Sequence, residues 1–158
     1  MYQFLLASHN IMRWVVVVLA IYALVRIFMG LFGKREFTET DRKSLSFYAI
    51  GMDIQLVLGL LLYFIFSPIT TAAFSDFGAA MSNSAIRFFA VEHIMLMVVA
   101  VVLAHVAVAM ARRATTSDAK FKRAAIWLTL SVLAVMVSIP WNTRPMLPQL
   151  GALLQLFA

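Results

Sequence analysis

Cysteine is absent from the 158 residues. That excludes disulfides, thiolate metal sites, iron–sulfur clusters and covalent c-type haem attachment. Charge is scarce as well: 13% of the residues are charged against 63% hydrophobic, which is far from the composition of a soluble globule. No glycine-rich phosphate loop, nucleophile elbow or zincin motif occurs. A water-soluble catalytic domain has no room in such a chain.

What is present is apolar sequence in four blocks, roughly 4–29, 45–66, 86–110 and 124–141. Each approaches or exceeds the ~20 residues that cross ~30 Å of hydrocarbon at 1.5 Å per residue. Barrel strands would alternate, whereas these blocks are apolar on every side. The expected fold is therefore all-α: an integral-membrane, up-down four-helix bundle formed as a single domain over 1–158. The first block has no basic n-region and holds His9 and Arg13, so it reads as a permanent helix rather than a cleaved signal.

The net charge of +6 is distributed unevenly. Lys34, Arg35, Arg42 and Lys43 lie between the first two blocks, and Arg112, Arg113, Lys120, Lys122 and Arg123 between the last two. The second connection has Arg87 against Asp76, and the tail has Arg144 alone. By the positive-inside rule the basic loops are cytoplasmic and both termini lie on the outer, periplasmic side. The cations then serve as topology signals and anionic-lipid contacts, with no nucleic-acid role.

Connections of about 15–20 residues should make neighbouring helices antiparallel. Glycines should stop the first helix, with Ser44, Thr40 or Asp41 capping the second. The outer loop after Pro68 is expected to fold over the end of the bundle. Residues 142–158 form an outer-side tail, with an interfacial helix expected near its end.

Three histidines interrupt the apolar blocks, and polar groups at hydrocarbon depth cost several kcal/mol unless they are paired. His9 and His93 lie on co-directional, diagonal helices, each roughly 8–11 Å below the outer end. Two inward imidazoles at one level match the axial ligation of a haem iron. Arg13 lies one turn below His9, placed to neutralise a propionate or to pair with Glu92. Phe89 and Met97 flank His93 as flat and pliable packing, and Arg87 gathers near the outer surface with Trp141, Asn142 and Arg144. The structural alternative is a pair of helix-to-helix hydrogen bonds.

A second polar level lies nearer the inner end. Asp53 and His105 are placed to meet across adjacent helices, with Gln55 nearby. They make either a structural ion pair or a proton- or quinone-handling site. His93 and His105 differ by about 120° around their helix, so they need not share a face.

The segments "SHNIMRW", "DIQLVLGLLLYF", "RFFAVEHIMLM" and "SIPW" together resemble the small four-helix membrane cytochrome B proteins of Bacteroidetes-type bacteria. The resemblance runs nearly the whole length of the four blocks. It implies an inner-membrane, multi-pass protein binding haem b non-covalently for electron transfer, with His9 and His93 at the motif histidines. Where that family's second-helix motif carries a histidine, this chain has Asp53, so no ligand carries over there.

The expected function is a membrane b-type cytochrome-like electron-transfer protein, more a subunit than a stand-alone enzyme. It would hold one haem between helices one and three, exchange electrons with quinone and work beside a membrane or periplasmic redox partner. Two alternatives stand beside it: a cofactor-free accessory subunit of a larger complex, and a quinone- or proton-handling protein centred on Asp53, Gln55 and His105.

Overall fold

The computed structural model describes residues 1–141. Four long helical runs dominate it, Tyr2–Phe32, Glu39–Phe66, Ser84–Arg113 and Ser117–Ser138, each long and apolar enough to cross a membrane. The chain is a multi-pass membrane protein. The first run is α1 (Tyr2–Phe32). The second is α2 (Glu39–Leu61), continued by a π-helical turn over Leu62–Phe66. Three short helices follow: α3 (Pro68–Ser75), α4 (Phe77–Ser82) and α5 (Ser84–Arg87). A second π-helical turn, Phe88–Glu92, leads into α6 (His93–Arg113), and α7 (Ser117–Ser138) closes the bundle.

The helices outrun their hydrophobic blocks at six of the eight ends, whereas the second run ends with its block at Phe66 and the fourth stops at Ser138, short of 141. Two connections are therefore much shorter than expected, residues 33–38 and 114–116. Polar and charged helix ends reach past the apolar stretch, and hydropathy alone does not register them. The N-cap of α2 is Thr38, in a capping box with Asp41. Ser44 is buried inside that helix and donates to the Asp41 carbonyl at 2.8 Å. Gly33 does end α1, whereas Gly30 serves packing: a Cβ there would sit 2.1 Å from the Phe121 ring.

Around the bundle, α1 packs on α2, α2 on α6, α6 on α7 and α7 on α1, which leaves α1 diagonal to α6. Lipid tails are as apolar as the core, so association relies on close packing and polar contacts rather than on a hydrophobic drive. The sequence provides both. Ala100, Ala104, Ala107 and Ala111 form a buried small-residue stripe on α6 within the core shared with α7. The Tyr48 hydroxyl lies 2.9 Å from Ser131 Oγ, which donates to the Ala100 carbonyl at 2.7 Å, linking α2, α7 and α6.

The two ends of the bundle differ. At the basic end, the fully buried Asp41 carboxylate accepts from Arg26 Nε, both Arg35 guanidinium ends, and the Thr38 amide and hydroxyl, at 2.5–3.1 Å. These hydrogen bonds hold the Arg35 guanidinium above its usual pKa. Arg26 thus anchors the loop through Asp41. At the opposite, cap end, α3–α5 fold over the bundle as expected, burying Ala73 and Ala80 against Ala90. The tail 142–158, with its expected interfacial helix, Asn142 and Arg144, lies outside the described residues.

Candidate functional site

Each π-helical turn inserts a residue into an α-helical register, and such turns recur at functional sites. Here two of them lie side by side at the cap end, joined where the Tyr63 hydroxyl donates to the Ala90 carbonyl at 2.6 Å. Thr70 of α3 donates to the Tyr63 carbonyl at 2.7 Å and ties the cap to the same point. The second turn ends at His93, whose amide bonds back to the Phe88 carbonyl. The insertion therefore sets the direction in which His93 leaves its helix.

His93 faces His9 across the α1–α6 diagonal, with ring centroids 6.3 Å apart and planes at 70°. Both rings line one cavity of about 110 Å³, together with Arg13, Gln55, Phe89 and Met97. Each imidazole is held by a neighbour not seen in the linear sequence. His93 Nδ1 donates to the Ser138 carbonyl of α7 at 2.9 Å, which fixes the tautomer and leaves a lone pair on Nε2. That Nε2 makes no hydrogen bond among the described residues. On the other side, Gln55 Nε2 reaches His9 Nε2 and the His9 carbonyl, both at 3.1 Å. An amide nitrogen can only donate, so His9 Nε2 is the acceptor and the ring proton belongs on Nδ1. His9 Nδ1 and Gln55 Oε1 are buried without partners among the described residues.

Glycine makes the seat possible. A Cβ on Gly59 of α2 would stand 3.2 Å from His9 Cε1, so a side chain there would crowd the ring. Arg13 is buried one turn from His9, its guanidinium 5.3 Å from the Trp14 ring.

Several expectations are corrected. Glu92 does not reach Arg13; it pairs with Arg87 at 2.8 Å, both side chains well exposed. Arg87, which also donates to the Met81 carbonyl, is therefore a cap residue and does not line the cavity. Gln55 belongs to His9 and not to Asp53: on a helix the two positions are about 200° apart, so they point to opposite sides. Asp53 and His105 do meet as expected, with His105 Nε2 2.8 Å from Asp53 Oδ1. Yet this pair lies on the outside of the bundle, about half exposed. An unpaired charge at such a depth costs about 2.5–3.5 kcal/mol on insertion scales.

Sequence reading missed Ser138, Gln55 as a partner of His9, Gly59 and both π turns. Of these, Gln55 and Gly59 carried a signal: they lie one turn apart on α2, a polar residue and a small one in an otherwise bulky run. Among the described residues no group of three or more His, Cys, Asp or Glu converges to hold a metal ion. No family model, no curated protein and no solved structure matches the chain.

Proposed function

We propose that the protein is a small membrane cytochrome of the b type, in which His9 and His93 would hold one non-covalent haem. The observation that carries the reading is the facing pair of neutral imidazoles, each with its lone pair on Nε2. The rings stand 6.3 Å apart. Two histidine nitrogens are the donor type that a b-type haem would need, which supports the reading. The cavity of about 110 Å³ is smaller than the ~300 Å³ lower bound of ligand pockets, so entry of a macrocycle requires lining side chains to swing aside.

A haem bound there supplies one-electron transfer. The chain's own residues bind and orient. The Ser138 carbonyl keeps His93 Nδ1 protonated and its Nε2 available. Gln55 holds the His9 backbone through its carbonyl, and would have to release the ring nitrogen for it to hold a metal. Arg13 places a positive charge by the cavity for an anionic propionate. Phe89 and Met97 supply apolar walls. In this reading the basic loops face the cytoplasm, the histidine level lies near the outer face of a bacterial inner membrane, and electrons pass between quinone and an outer-side partner subunit.

The cofactor-free accessory reading draws support from the same two bonds, Gln55 to His9 and Ser138 to His93, because they also fix helix register. Spectra separate the two. Detergent-purified protein, expressed with added haem, is expected to show a reduced α-band and about one haem per chain by pyridine haemochrome assay. His9→Ala and His93→Ala should each abolish the band while circular dichroism stays helical. A colourless wild-type protein after haem supplementation would sink the cytochrome reading.

A further inference from the structure

The Asp53–His105 pair is placed where lipid cannot serve it. At 1.5 Å per residue, Asp53 lies about 15 Å along α2 from Lys43, and His105 about 10 Å along α6 from Arg112. The pair is therefore well inside a hydrocarbon layer ~30 Å thick. Their side chains are nonetheless 46% and 54% exposed. The bond between them uses Asp53 Oδ1 and His105 Nε2 only. Asp53 Oδ2 and His105 Nδ1 make no hydrogen bond among the described residues, so each of these half-exposed side chains keeps one polar atom to offer a neighbour. Around them is an apolar collar of Ile50, Ile54 and Val57 on α2 and Val98 and Val102 on α6, all exposed.

We infer, independently of the haem assignment, that this α2–α6 face is covered by a second copy of the chain, in a parallel two-fold dimer. The argument is one of self-complementarity. A two-fold axis along the membrane normal, passing in front of the patch, exchanges left and right. It sets α2 of one copy against α6 of the other, so Asp53 faces the partner's His105, and the reverse. The two residues already share a depth because they are hydrogen-bonded to each other. With each His105 ring carrying a proton on both nitrogens, the remaining carboxylate oxygen of each copy accepts from Nδ1–H of the other, closing a ring of two carboxylates and two imidazoliums with the polar edge sealed from lipid. The collar packs around it, valine and isoleucine against valine.

Rearranging the two groups tests this directly. The Asp53→His chain presents two imidazoles, and the His105→Asp chain presents two carboxylates. Neither retains an acid–base pair within itself, but across the two-fold each imidazole faces a carboxylate. Co-expressed with different tags and isolated by both, the two variants are expected to exceed random pairing by about tenfold. Each variant alone should run as a monomer by light scattering in detergent, where the wild type runs as a dimer. Random pairing of the variants overturns the proposal.

A second measurement does not depend on those variants folding. The cysteine-free chain accepts single cysteines cleanly, and Val57 and Val102 lie within about 1.5 Å in depth, measured from the pair. Val57→Cys and Val102→Cys on separate copies in native membranes should cross-link with a copper–phenanthroline oxidant. Val18→Cys and Leu133→Cys, exposed on α1 and α7, should not. Equal cross-linking at the two faces, or none at either, overturns the dimer.

Discussion

The two ends of this bundle solve the same problem, a polar group below the surface, in opposite ways. At the basic end, Asp41 is fully buried and takes hydrogen bonds from two arginines and from Thr38. The loop it anchors is short and tied further by the Phe37 amide, which donates to Ser117 Oγ at 3.0 Å. At the cap end, His9 Nδ1 and Gln55 Oε1 are buried without partners among the described residues, beside a cavity and two π turns. A saturated network holds a structure together. The cap end leaves polar atoms unbonded among the described residues, in a medium where every unmade hydrogen bond is costly.

The contrast predicts unequal responses to substitution. The largest effect should be at Asp41. Asp41→Asn keeps the shape but leaves Arg26 and Arg35 without their anion, and breaking such a pair is expected to cost about 3 kcal/mol, read as a lowered unfolding midpoint in detergent. Next comes Gly30→Ala at the same end. Its Cβ would overlap the Phe121 ring at 2.1 Å, and overpacking of that kind costs about 2 kcal/mol. The smallest effect should be at the cap end. Gln55→Leu removes two hydrogen bonds but also an acceptor that was already unsatisfied, so stability should change by less than about 1 kcal/mol. If Gln55→Leu proves as damaging as Asp41→Asn, the cap-end polar groups are structural and the contrast fails.

Part of the candidate site was legible in the linear chain. His9 and His93 emerge from depth counting alone, because two co-directional helices of known rise put equal offsets at equal levels. Asp53 and His105 emerge the same way. Glu92 does not partner Arg13: it lies in the π turn that precedes His93, and its side chain pairs with Arg87 at the surface instead. Ser138 was illegible for a different reason. It contributes a backbone carbonyl to His93, and every residue has one.

Composition and hydropathy by themselves determined that the chain forms four helices long and apolar enough to cross a membrane and, with no cysteine in it, no disulfide. The free energy of moving apolar residues out of water depends on how many there are and how long they run, and both are properties of the chain. Only the tertiary structure decided which polar groups are satisfied. It set His9 against Gln55, His93 against Ser138 and Asp41 against two arginines, and it turned Asp53 and His105 outward. Hydrogen bonds are short-ranged and directional, so their partners depend on helix phase, on packing against a glycine or an alanine, and on a single inserted residue.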